Sequence, residues 1–207
     1  MAYSPVATDN FNRADGGLGA NWTTAYNGGF LILGNAARAN ASGSNDACSL
    51  YTGATFAGNH YAKATITAAP VTHYYALGVA TRGDQIAGTY HNYAYMGLRD
   101  NNERYLARLV GGTPTALQHY TGAGINVGDI LQLDADGSLH SPFLNGSADT
   151  SLGTATDSTY TGGVPGLHCY NGSTGATVDD WEGGDITTGG SGIAAIANYY
   201  RRRRENK

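Results

Sequence analysis

Residues 128–146 read GDILQLDADGSLHSPFLNG, and residues 156–184 read TDSTYTGGVPGLHCYNGSTGATVDDWEGG. In the first stretch Ile130, Leu131 and Leu133 lead into Asp136-Gly137, and the chain returns through Leu139, Phe143 and Leu144 to Asn145-Gly146. Asp-Gly and Asn-Gly supply the positive φ angles that two-residue hairpin loops need, so the stretch reads as strand, tight turn, strand, tight turn. In the second stretch a Gly-Gly-Val-Pro-Gly corner starts a strand over residues 167–170. A Gly-rich turn follows, and residues 177–181 return antiparallel. The whole region is meandering β structure.

The same reading extends outward. Residues 1–8 show no periodicity and read as a leader, residues 9–11 as the first strand, and residues 12–21 as a Gly-rich loop held down by Leu18 and Trp22. Strands are expected at 30–33 and 47–51, separated by the small, polar AARANASGSND. HYAKATITA at 60–68 alternates Tyr61, Lys63, Thr65 and Thr67 with Ala62, Ala64, Ile66 and Ala68, the period-two pattern of a strand with one buried face. Residues 73–81 and 92–99 read as central strands, with a loop over 82–91. ERYLARLV at 103–110 has enough helix formers for a helical turn, but Asn101-Asn102 before it and Gly111-Gly112 after it make it a strand between hairpin turns. A further strand follows at 115–120.

A chain of 207 residues fits one domain, expected over 1–185, and is long enough to bury a core without metal or disulfide support. The 31 glycines, 15 tyrosines and 14% charged residues suit many short strands and tight turns; a disordered chain would be charge-rich and aromatic-poor. No apolar run approaches the roughly 20 residues of a membrane span. The N-terminus MAYSPVATDN lacks the basic and apolar regions of a secretory signal, so a soluble chain without export signal is expected. Cys48 and Cys169 fall in different expected strands; buried thiols and a disulfide both remain open.

Charge is uneven. The net charge is −4, but the last seven residues carry five basic groups against Glu205, a net of +4, which leaves −8 on the rest. Such an acidic body would not coat nucleic acid. Residues 186–192 read as a Gly-rich linker, and residues 193–207 as a basic tail with the makings of a short helix, marginal in isolation. Ile193, Ile196, Tyr199 and Tyr200 beside Arg201, Arg202, Arg203 and Arg204 suit a docking peptide better than a solvated tail, which has no use for the apolar side chains.

The succession GD-x-L-x-L-x-x-DG, NG, TDSTYTGGVPGLHCY and DDWEGG, with DNFNRADGGLGANWT at 9–23, resembles a concanavalin A-like (laminin G-like) jelly-roll domain of the kind found in phage and bacterial surface proteins. The likeness covers about residues 9–184 and implies an all-β fold, an antiparallel two-sheet sandwich closed by pairing of residues 9–11 with 178–181. It also implies a structural Ca²⁺ where first and last strands meet, with Asp9 and Asp180 as ligands; the alternative is that the acidic pair Asp179-Asp180 is merely solvent-facing. Glucanases of this superfamily place Glu-x-Asp-x-x-Glu on one strand. That pattern is absent: the three glutamates Glu103, Glu182 and Glu205 sit on separate elements, and of the pair Asp134 and Asp136 the second opens a turn. The six histidines show neither His-x-His nor His-x3-His spacing, and no Gly-x-Ser-x-Gly nucleophile motif occurs. A non-catalytic protein is expected.

Tyr74, Tyr90, Tyr93, Tyr95, Arg99 and Tyr105 concentrate on the expected middle strands, where flat rings with polar edges suit sugar stacking; the competing reading is that half of them fill the core. These features, taken with the resemblance, lead to the expectation of a structural or adhesion module on a phage virion surface. It would attach to capsid or tail proteins through its C-terminal tail, bind glycans, and self-associate as a homo-oligomer. The alternatives are a free extracellular or cell-surface lectin-like module, and a glycan hydrolase or lyase.

Overall fold

The computed structural model describes residues 1–40, 46–69, 76–86, 89–98, 102–170 and 175–187, with backbone alone for Ile86 and Leu98. Its described elements are all strands. The first eight are β1 (Ala2–Asp9), β2 (Gly16–Gly17), β3 (Trp22–Tyr26), β4 (Phe30–Ile32), β5 (Ala37–Ala39), β6 (Ala47–Tyr51), β7 (His60–Ala68) and β8 (Ala76–Ile86). There follow β9 (Thr89–Leu98), β10 (Glu103–Val110), β11 (Thr113–Thr121), β12 (Ile130–Asp136), β13 (Leu139–Leu144), β14 (Ser147–Ala148), β15 (Ala155–Thr156), β16 (Val164–Tyr170) and β17 (Thr177–Thr187). One sheet has the order β14-β13-β12-β7-β17-β5-β4-β2, with β1 on β17 and β15 on β13. The other runs β11-β10-β9-β8-β16-β6-β3.

Turn chemistry sets the local pairing. Asn145-Gly146 (φ 53° and 77°) and Gly111-Gly112 (55° and 77°) both adopt the left-handed backbone that two-residue hairpins require, and they join β13 to β14 and β10 to β11. Alternation then sets the faces. Ala62, Ala64 and Ile66 on β7 and Leu131 and Leu133 on β12 point inward, toward Leu77, Val79, Tyr93, Tyr95, Leu106 and Leu167 of the facing sheet. At one end Trp22 meets Trp181 edge-on at 4.8 Å, and Tyr51 stacks on Trp181 at 5.0 Å. Trp181 is fully buried. A large aromatic hides 150–250 Å², so its burial contributes roughly 4–6 kcal/mol before chain entropy is counted.

Three sequence expectations change. The first strand is Ala2–Asp9 rather than 9–11, and it pairs with β17 from Ala2↔Thr187 to Asp9↔Trp181. As the outer strand on β17, β1 is exposed along most of its length, so no hydrophobic period marks it. Phe11 instead folds into the core at φ 50°. The expected loop over 82–91 is largely strand: β8 runs on to Ile86 and β9 begins at Thr89. β17 continues to Thr187, two residues into the expected linker. Among the described residues no helix is long and apolar enough to cross a membrane.

Candidate functional site

The outer face of the seven-stranded sheet is shaped by one irregularity. Between Thr81 and Asp84 the β8–β9 register shifts, and Arg82 adopts φ 52°, a costly conformation for a side chain of this size. Hydrogen bonds hold it: its N–H donates to His60 Nε2 (2.9 Å), and its buried guanidinium donates to the carbonyls of Tyr160 (2.8 Å) and Gly137. Beyond this point the hairpin bends across the outer face. Gly83 lies so close to β6 that a Cβ there would meet Leu50 Cδ2 at 2.1 Å. Gln85 Nε2 donates to the Ala25 carbonyl on β3 (3.2 Å), and Tyr90 stacks on Tyr26 at 5.8 Å.

Under the hairpin lies a buried polar group. The Tyr90 hydroxyl donates to Cys48 Sγ (2.7 Å), and Asn92 Nδ2 lies 3.2 Å from His168 Nδ1. Burial pushes the Cys48 thiol up to about 12 and His168 down to about 3, so both are neutral.

Beside the hairpin, toward β3 and β6, the bend leaves a cleft of about 450 Å³. Its base is apolar: Ala25, Leu50 and Val164. Phe56 forms one wall, a half-buried ring set edge-on against Tyr51 at 6.3 Å. The rim is polar. Thr23 and Thr52 share a hydroxyl–hydroxyl bond of 2.8 Å, and Asp84 accepts the Gln85 N–H through Oδ1 at 2.7 Å, so Oδ2 is not used in that bond. Gln85 spends its amide N–H on Ala25 and keeps its carbonyl as an acceptor. An apolar base with one aromatic wall and a few placed acceptors and hydroxyls matches a ligand with one C–H face and several O–H groups. Asp84 is the one ionisable side chain among the described lining residues.

On the opposite flank, β10 and β11 carry a second aromatic feature. Tyr105 and His119 stack in parallel, 4.3 Å apart and 7° from coplanar. Glu103 accepts the Tyr105 hydroxyl at 2.6 Å and lies 3.6 Å from His119 Nε2. Burial and the Glu103 carboxylate together raise the Tyr105 phenol far above its ordinary value.

Comparison with solved structures gives several matches across most of the chain. Carbohydrate binding module CBM66 from Bacillus subtilis superposes with a TM-score of 0.58 at 20% identity, over 78% of this chain and 95% of that one. A Bacillus subtilis protein of unknown function with a galectin-like fold reaches 0.59 at 11% identity, over 89% and 98%. Bacillus licheniformis β-glucanase reaches 0.53 at 12% identity, over 89% and 99%. The fold is a concanavalin A-like jelly roll. No protein-family model matches the chain, and no curated protein matches its sequence.

The jelly roll redistributes the expected site residues. Tyr93 and Tyr95 point inward because β9 places Ala94 and Met96 on its outer face; both rings are fully buried. Tyr93 donates to Asp157 Oδ1 and Tyr95 to Asp149 Oδ2, each at 2.8 Å. Tyr90 faces outward but is covered, at 2% exposure. These three are therefore corrected from stacking surfaces to packing residues. Tyr105 reaches the outer face, half-buried. Tyr74, Arg99 and the tail residues Ile193, Ile196, Tyr199, Tyr200 and Arg201 to Arg204 lie outside the described residues.

Of the two residues expected to hold Ca²⁺, Asp9 is already engaged by protein donors. Asp9 does lie beside the last strand, with Asp180 at its bulge, but its two oxygens already accept Arg13 Nη1 (2.7 Å) and Nη2 (2.9 Å), Trp22 Nε1 (2.7 Å) and the Phe11 N–H (2.9 Å). Burial opposes ionisation of Asp9, and these donors outweigh it, holding the carboxyl below its usual range. The Arg13 guanidinium is thus the cation that Asp9 holds. Among the described residues no group of three or more His, Cys, Asp or Glu side chains could hold a metal ion.

The cleft was not legible beforehand. Thr23, Thr52 with Phe56, and Asp84 come from three separate segments, and the sequence reads as loop around Asp84-Gln85.

Proposed function

We propose that this jelly roll is a non-catalytic carbohydrate-binding module that takes a neutral sugar unit in the cleft between the bent β8–β9 hairpin and strands β3 and β6. The observation that carries the reading is the lining: apolar base, Phe56 wall, and a rim of Thr hydroxyls with the Asp84 carboxylate and Gln85 carbonyl as acceptors. Sugars present the same division between C–H faces and hydroxyl edges. The similarity of the fold to a carbohydrate binding module supports this class of ligand. A lone carboxylate with no cation among the described lining residues disfavours acidic sugars by like-charge repulsion.

Glycosidic hydrolysis needs two carboxyl groups, about 5–5.5 Å apart for retention and 6.5–9.5 Å for inversion. Asp84 has no second carboxylate among the described cleft residues, and Glu103 belongs to the other flank of the sheet. Titration calorimetry against soluble neutral polysaccharides, with alginate as the acidic control, tests the reading. Binding to a neutral polymer without release of reducing ends supports it; hydrolysis, or binding to alginate alone, overturns it.

A further inference from the structure

The stack on β10 and β11 has a construction that core packing does not require. His119 sits on an outer strand with its side chain 42% exposed, yet its ring is fixed: flat against Tyr105 on one side and 3.6 Å from the Glu103 carboxylate at its edge. Glu103 in turn is held by the Tyr105 hydroxyl at 2.6 Å. Behind Tyr105, the outer-face residues Ala94, Met96 and Ala107 pack as a separate apolar cluster, which fixes its position. Three side chains have therefore surrendered their rotamer freedom to hold one aromatic face toward solvent. That is pre-organisation, which lowers the entropy cost of a later contact.

The charge on this face points to the same ligand class as the cleft. Arg104 and Arg108, the cations of β10, turn to the inner side, where they pair with Asp149 and Asp157 at 2.7 Å. The platform offers an aromatic face and carboxylate acceptors beside it. It lies on the same face of the same sheet as strands β6 and β3 of the cleft, four to six strand positions across in the order β11-β10-β9-β8-β16-β6-β3. At about 4.8 Å per strand this is roughly 20–30 Å along the sheet, a span for a polysaccharide chain and not for a single sugar.

We propose that the His119–Tyr105–Glu103 platform is a second contact site for a neutral polysaccharide, so that one chain engages the platform and the cleft together. The proposal rests on the cleft reading for its partner site. Linking two weak contacts through one ligand raises avidity without new chemistry at either. A polymer then binds at least about tenfold more tightly per chain than a short oligosaccharide of the same sugar.

The test compares the two ligand lengths by calorimetry for the whole chain and for His119→Ala, His119→Phe and Phe56→Ala. His119→Ala is expected to remove the polymer advantage while leaving oligosaccharide affinity unchanged, and His119→Phe, which keeps a flat ring, to restore it. Thermal midpoints of the variants separate loss of contact from loss of fold. Polymer affinity unchanged in a folded His119→Ala overturns the platform while the cleft reading survives. If Phe56→Ala leaves binding intact and His119→Ala abolishes it, the cleft reading falls and the platform stands as the site. Absence of binding to any neutral polymer overturns both.

Discussion

Arg104 and Asp149, 45 residues apart, form a two-point ion pair inside the sandwich: Nε donates to Oδ2 at 2.7 Å and Nη2 to Oδ1 at 2.9 Å. Tyr95 adds a hydroxyl bond to the same carboxylate at 2.8 Å, and the Leu152 N–H another at 3.2 Å. Burial alone would raise Asp149; these donors outweigh it and hold its carboxyl below the usual range. Removing one partner of such a pair leaves a buried, uncompensated charge. Arg104→Ala is expected to cost about 3–5 kcal/mol in urea unfolding, whereas replacing both partners with apolar residues costs much less. A loss under 1 kcal/mol for the single change contradicts this account.

Acid should destabilise the fold before its carboxylates protonate. Burial lowers His60 and His140 to about 4 and His168 to about 3, against about 6.5 in the unfolded chain. The unfolded chain therefore binds more protons as pH falls from about 6.5 toward 4, and each histidine contributes a loss of up to about 1.4 kcal/mol per pH unit. Asp134 and Asp179, raised mainly by burial, act in the opposite sense, while Asp9, Asp149 and Asp157 are lowered and add loss at still lower pH. The expected outcome is a thermal midpoint that drops steadily between pH 6.5 and 4. A flat profile over that window contradicts the neutral-histidine assignment.

With Arg13 paired to Asp9 at 2.7 Å, calcium at the junction of β1 and β17 would have to displace a resident cation, and weak or no calcium binding is expected. Millimolar Ca²⁺ and excess chelator should give the same thermal midpoint, because only a ligand that binds the folded state stabilises it. Arg13→Ala removes the resident cation, and a calcium-dependent rise in midpoint is expected to emerge in that variant or not at all.

Cys48 and Cys169 cannot bridge. β6 and β16 are neighbours, but His168 pairs with Cys48 and Cys169 with Ala47, so the two thiols sit on opposite faces of the sheet, and both are buried. A thiol reagent is expected to react with neither in buffer and with both in denaturant, regardless of prior reduction.

How much of this was readable in the sequence depends on how local each cause is. Asn145-Gly146 and Gly111-Gly112 announce hairpins through their own backbone preference, and HYAKATITA shows its buried face through alternation. β1 escaped notice because an exposed outer strand has no buried face to imprint a period. The tyrosines of β9 illustrate the other limit. Alternation separates Tyr93 and Tyr95 from Ala94 and Met96, but an all-apolar or aromatic strand does not say which of its faces is the core. The cleft depends on the bend at Arg82, a left-handed residue stabilised by carbonyls of Gly137 and Tyr160 far along the chain, so no local pattern announces it.

The central claim is that a neutral sugar occupies the cleft beside Phe56 and Asp84. It is tested most directly by calorimetric titration of one neutral oligosaccharide into the native chain, Phe56→Ala and Asp84→Asn, with folding of each verified by its thermal midpoint. Loss of a stacking ring or a charged hydrogen-bond acceptor is expected to weaken binding by about 1–3 kcal/mol, roughly five- to two-hundredfold. Unchanged affinity in both folded variants would contradict the assignment of the cleft as the sugar site.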